Sequence, residues 1–148
     1  MVKPEVESTV YVKELVEFNP EIDMSYLQQI DPDGENAWSA FGMENCFNLR
    51  YFIVVGNNGQ RLGIVGVYDT ADEVNITHVV IDPKYRGKGL LPKFYQQLMA
   101  RTGCTKLVAT IDRENMASII SHERAGFIKT SDEAYEEEFN KFKYVFSE

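Results

Sequence analysis

The chain has 148 residues and a formal charge of −8, from 15 basic and 23 acidic side chains. Apolar residues make up 44% and charged residues 26%, a balance that excludes disordered and fibrous classes and suits one domain spanning 1–148. The acidic sum disfavours a nucleic-acid binder, and no apolar run approaches the ~20 residues needed to cross a bilayer.

In chain order, Val10 to Val16 reads as a first strand. Pro20-Glu21 opens a helix with Met24, Leu27 and Ile30 on one face, stopped near Pro32-Asp33-Gly34. A short helix is expected around Trp38 to Met43. Leu49 to Val55 and Leu62 to Tyr68 are β-branched apolar runs joined by Gly56-Asn57-Asn58-Gly59, a hairpin signal because Asn and Gly tolerate positive φ. Val74 to Ile81 reads as the next strand, closed by Asp82-Pro83. Leu90, Leu91, Phe94, Tyr95, Leu98 and Met99 recur at helical spacing, and Gly103 can cap that helix. Lys106 to Ile111 reads as a strand and Asn115 to Ala125 as a helix with Met116, Ile119 and Ile120 inward. Tyr135 to Phe146 reads as a closing strand pair or one long strand. Strand, helix, strand from Val74 to Ile111 is a βαβ crossover whose strands run parallel. With the hairpin before it, the fold class is α+β: a mixed, mostly antiparallel sheet with flanking helices.

Charge is distributed unevenly. Lys84 to Lys129 holds nine basic residues and three acids, a local +6, which leaves −14 for the remainder. A basic segment in an acidic chain is suited to an anion there and to cations elsewhere. Cys46 and Cys104 have no metal-ligand spacing and read as free thiols of a cytoplasmic protein. No signal peptide is expected, since Met1 is followed by Lys3, Pro4, Glu5 and Glu7.

Between the strand ending at Ile81 and the helix starting near Leu90 lies Asp82-Pro83-Lys84-Tyr85-Arg86-Gly87-Lys88-Gly89-Leu90-Leu91. Glycines let a ligand approach the backbone, and the helix start offers unpaired N–H groups with partial positive charge. Arg86 and Lys88 add two cations. In physical terms this is a diphosphate site. It is neither a Walker loop nor a Gly-x-Gly-x-x-Gly dinucleotide turn.

The segment Arg86-Gly87-Lys88-Gly89-Leu90-Leu91 resembles the acyl-CoA signature of the GNAT superfamily of N-acyltransferases. Asn115 to Phe127 is similar to that family's Asn-x-x-Ala/Ser helix ending in Gly-Phe, here with Ser118 at the small position. Two positions depart from the pattern. Leu91 stands where Gly or Ala is usual, and His122 stands where many members carry a general-acid Tyr. The strand position often holding a carboxylate base falls near Asn75.

The resemblance implies an acetyl-CoA-dependent N-acetyltransferase. The arm of the acyl-donor co-substrate would pair with the backbone of Val79, Val80 and Ile81, and its diphosphate would sit on the N–H groups from Arg86 to Leu91. Asn115 and Ser118 would flank the arm. An N–H near Val79 or Val80 would stabilise the thioester oxygen as it gains charge. His122 is the first candidate proton donor to the departing thiolate and Tyr144 the alternative. Glu73 or His78 is the candidate base, acting through water. The acidic remainder of the chain suits a cationic amine acceptor, and no basic face suits a nucleic acid. Monomer and homodimer are both compatible with the sequence. The competing expectation is a catalytically inactive acyl-CoA-binding sensor of the same fold.

Overall fold

The computed structural model describes residues 9–32 and 45–148. Its strands are β1 (Val12–Glu17), β2 (Phe47–Gly56), β3 (Arg61–Asp69), β4 (Ile76–Ile81), β5 (Lys106–Asp112), β6 (Ile128–Lys129) and β7 (Lys141–Ser147). The helices among the described residues are α1 (Pro20–Ile30), α2 (Leu91–Thr102), α3 (Met116–Arg124) and α4 (Glu133–Phe139). One seven-stranded sheet has the order β1-β2-β3-β4-β5-β7-β6. Every neighbouring pair is antiparallel except β4 and β5, which run parallel as the crossover requires.

Both faces of the sheet are covered, so β2 and β3 carry the continuous apolar runs Tyr51–Val55 and Leu62–Val67 rather than alternating. On one face, Phe52, Val54, Val65 and Val67 meet Leu91, Phe94, Tyr95 and Leu98 of α2 and Ile119 of α3. On the other, Tyr51, Ile53, Ile64 and Val80 meet Tyr26, Leu27 and Ile30 of α1. Helix α1 begins where the Asn19 side chain accepts the Glu21 N–H at 3.0 Å, while Asp23 accepts the Asn19 N–H at 2.8 Å. That reciprocal cap, with Pro20 in the first turn, fixes the start of α1. Among the described residues no helix is long and apolar enough to cross a membrane.

Several expectations need correction. Tyr135 does not begin a strand. Asp132 accepts the Tyr135 N–H at 2.9 Å and opens α4, and only Lys141 onward pairs with β5. Asn140, at φ 55°, ends the helix in the left-handed conformation that Asn tolerates. Aromatic content suggested β structure, but the cap and the glutamates in the first turn decide for helix. Met116 and Ile120 lie exposed on α3, and its inward residues are Ile119 and His122. Strand β4 starts at Ile76 rather than Val74, because Asn75 takes φ 59°. The helix expected around Trp38 to Met43 lies outside the described residues.

At the centre of the sheet Tyr51, Gly66 and His78 form one cross-strand row. A Cβ on Gly66 would collide with the Tyr51 ring. Gly66→Ala is therefore expected to lower stability by about 1–3 kcal/mol, the usual cost of overpacking. A shift of the urea midpoint with unchanged slope checks it.

Candidate active site

Strands β4 and β5 share one registered pair, Ile76 with Val108, and the Val108 N–H donates to the Asn75 carbonyl at 2.9 Å. Beyond it they part. The left-handed turn at Asn75 that begins this arrangement is pinned by Asp69, whose Oδ1 accepts the Asn75 N–H at 2.8 Å. Asp69 also accepts from Asn48 at 3.0 Å and faces Arg50 at 3.6 Å. Burial pushes its carboxyl up, but the Asn75 amide, Asn48 and Arg50 outweigh that and hold it below the ordinary carboxylate range.

Which β4 amides face the gap follows from register. The Asp82 N–H donates to the Leu62 carbonyl at 2.8 Å, and Ile81 lies opposite Gly63. In an antiparallel ladder this makes Asp82, Val80 and His78 the residues bonded to β3. Val79 and Ile81 turn their backbone groups to the gap. Val80, expected to share in cofactor pairing, has its amide directed at β3 instead.

Above the gap, a 3-10 turn at Pro83–Tyr85 leads into Gly87 and Gly89, at φ 74° and 71°. Asp82 anchors it. One carboxylate oxygen accepts the Lys84 N–H at 3.0 Å, and the other accepts the Tyr26 hydroxyl of α1 at 2.9 Å. Among the described residues no acceptor meets the N–H groups of residues 87–91. A Cβ on Gly87 or Gly89 would meet nothing within 4 Å, so the Cβ side of both residues borders open space. Arg86 folds back, its Nε donating to the Ile81 carbonyl at 2.9 Å. The Leu91 side chain is buried in the core, so it does not crowd the turn. Sequence reasoning missed Tyr26, whose partner lies 56 residues away.

The proton-transfer candidates fall in different places. His122 is buried on α3, its Nδ1 2.8 Å from the Ser118 carbonyl and its Nε2 2.8 Å from the Tyr95 hydroxyl. A carbonyl only accepts, so Nδ1 carries the proton and Nε2 accepts from Tyr95. Burial lowers the pKa of His122, and the Ser118 carbonyl partly offsets this. Asn115 caps α3 by accepting the Ser118 N–H at 3.2 Å. Tyr144 donates to Glu123 at 2.7 Å, and burial together with that carboxylate pushes its hydroxyl up to about 12. Glu73 pairs with Lys143 at 2.7 Å. His78 lies on the α1 face, 2.6 Å from the Tyr51 hydroxyl, and burial pushes its pKa down to about 4. Tyr95 also lines a groove of ≈ 430 Å³ that runs along α2 against Phe127 and Phe146.

A family model described as the acetyltransferase (GNAT) domain matches residues 6–128. Solved structures share the fold. A candidate acetyltransferase from Acinetobacter baylyi is 20% identical, with 95% of each chain covered and a TM-score of 0.64. A dodecameric spermidine N-acetyltransferase from Vibrio cholerae is 12% identical, again with 95% of each chain covered, at 0.63. A spermidine/spermine N-acetyltransferase from the same organism, with two glutamates replaced, is 12% identical with the same coverage at 0.65. A search of curated proteins finds no match.

His78 stays neutral to a pH of about 4 in the folded chain but takes a proton near 6.5 when unfolded. The unfolded state therefore binds more protons between those values, and stability falls as pH drops through that window, by roughly 3 kcal/mol at most. His122 acts in the same direction. His78→Gln is expected to flatten the acid side of the stability–pH curve, which denaturant melts from pH 7 to 4 would read.

Proposed function

The chain belongs to the GNAT acetyltransferase family and is an acyl-CoA-dependent N-acetyltransferase; we propose that it moves an acetyl group from acetyl-CoA to a primary amine on a small cationic molecule or peptide. The carrying observation is the run of five amides from Gly87 to Leu91 that meet no acceptor among the described residues, with Arg86 before it and Lys88 within it, at the open end of the gap between β4 and β5. Among the described residues no side chain competes for those amides, and backbone donors at a helix start suit a diphosphate.

From there the cofactor arm would run down the gap against Val79 and Ile81 as an added strand. Its amides would replace the pairing that β5 gives up. Arg86 would leave the Ile81 carbonyl for the diphosphate, freeing that acceptor for the arm. The Val79 N–H, aimed into the gap, would receive the thioester oxygen as it gains negative charge. Asn115 spends its side-chain oxygen on Ser118 and keeps its NH₂ for the arm. Attack would be direct, in a ternary complex, with most of the rate coming from holding amine and thioester in line. Of the acid and base candidates, Glu73 is tied to Lys143, Tyr144 to Glu123 and His78 to Tyr51 on the α1 face, whereas His122 meets Tyr95, whose hydroxyl adjoins Thr77 of β4. We therefore assign the proton traffic to the neighbourhood of His122. A cationic acceptor fits the −14 outside the basic segment, and the Vibrio cholerae relatives named for spermidine make polyamines the first acceptors to try.

Thiol release from acetyl-CoA with a panel of amines tests the reading, and turnover with polycations above neutral amines is expected. Stabilisation by the cofactor, about 2.7 kcal/mol at a hundredfold excess over Kd, without turnover on any amine would instead favour an acyl-CoA sensor. Gly89→Val places a side chain in the open space over the amides and strains a φ of 71°. Its affinity for acetyl-CoA is expected to drop at least tenfold in calorimetry, and unchanged binding would relocate the diphosphate.

A further inference from the structure

A file of three buried groups closes the narrow end of the gap between β4 and β5. The His122 Nδ1–H donates to the Ser118 carbonyl, and the Tyr95 hydroxyl donates to His122 Nε2, each at 2.8 Å. The Tyr95 hydroxyl adjoins Thr77, the first β4 residue beyond the Ile76–Val108 pair. Thr77 gives its own proton to the Gly66 carbonyl at 2.9 Å. That leaves the Tyr95 proton as the movable one where the strands begin to part. Tyr95 reaches this point from α2, buried in the core that α2 shares with α3.

Resting on the acetyl-transfer reading above, we infer that the Tyr95 hydroxyl meets the reacting atoms and that His122, held by Ser118, stores the proton between the two halves of the reaction. The amine enters neutral, and its nitrogen bonds to the thioester carbon. As it does so, a nitrogen-bound proton passes to the Tyr95 oxygen while the Tyr95 proton moves to His122 Nε2. The imidazolium then donates from both nitrogens, to the Ser118 carbonyl and the Tyr95 oxygen, so neither N–H lacks an acceptor. In the second half the carbon–sulfur bond breaks with its electron pair on sulfur. Tyr95 gives a proton to that sulfur and recovers one from Nε2. One proton has moved from nitrogen to sulfur, both side chains are restored, and no further reactant is consumed. The arrangement shares the logic of hydroxyl, imidazole and orienting acceptor in nucleophilic catalysis, except that this hydroxyl carries protons and never bonds to carbon. Burial keeps His122 neutral and ready to receive at pH 7.

Tyr95→Phe keeps the ring in the core and removes only the hydroxyl. Its kcat is expected to fall at least thirtyfold, with the acetyl-CoA dissociation constant and KM within threefold of the parent chain. His122→Phe should fall comparably, and the double variant should be no slower than the slower single one, because the two groups act as a unit. Turnover of Tyr95→Phe within threefold of the parent overturns the relay, as does a double variant slowed by the product of both effects. Should either variant fail to fold, site-specific 3-fluorotyrosine at position 95 keeps the shape and makes the hydroxyl more acidic. A changed kcat at constant KM supports the relay and an unchanged kcat overturns it. A parent chain that binds acetyl-CoA and turns over while Tyr95→Phe keeps pace removes the relay alone. A parent chain that neither binds acetyl-CoA nor acetylates any amine removes the function with it.

Discussion

The parting of β4 from β5 after a single pair is the constraint on which the site depends. A parallel pair continued to Ile81 would satisfy the backbone of Val79 and Ile81 within the sheet and leave nothing for an extended ligand. The single pair is entered through Asn75, whose carbonyl accepts the Val108 N–H and whose left-handed conformation is held by a buried aspartate rather than by glycine. Asp69 keeps its charge because three donors face it, and that charge fixes the start of β4. The cost of an unusual φ at Asn75 is thus offset by one charge-assisted bond at the sheet's end.

A second constraint links the two faces. Asp82 is almost fully buried at the end of β4, with one oxygen on the turn and the other on Tyr26 of α1. Arg61 lies over the Tyr26 ring at 4.1 Å and adds a cation beside that pair. The glycine turn is therefore anchored on a helix that packs against the opposite face from α2. Turn geometry is set by buried bonds behind it, which leaves its outer amides free of structural duties.

Much of this was legible in the sequence, and the reason differs by element. The hairpin, the crossover and α2 are written in short-range patterns: Gly56 to Gly59, the apolar stripe from Leu90 to Met99, and the Gly103 cap at φ 79°. The glycine turn was legible because its chemistry is backbone chemistry, carried by residues adjacent in the chain. Side-chain partners were not. Tyr95 reads as one more aromatic of an amphipathic stripe, and nothing local reveals that His122 meets it 27 residues later. Tyr135 misled for a related reason, since β-propensity describes a half-buried pleated surface while the Asp132 cap acts on the backbone directly.

The two histidines show how one residue type serves opposite needs on the two faces. His78 meets Tyr51 and Tyr68 on the α1 face, with ring centroids 6.1 and 4.9 Å away. His122 meets Tyr95 and Phe127 at 5.5 and 5.0 Å, between α2 and α3. Burial lowers both pKa values, so neither histidine adds charge to the sheet at neutral pH. The difference lies in the second ring nitrogen. His122 has a carbonyl on Nδ1, which fixes its tautomer and would stabilise the imidazolium if Nε2 took a proton. His78 has a tyrosine hydroxyl on Nδ1 that can serve as donor or acceptor, and no main-chain oxygen among the described residues holds its ring in one protonation state. A group that must gain and lose a proton within one turnover needs both of its forms satisfied by the same neighbours, and of the two imidazoles His122 is the one so placed.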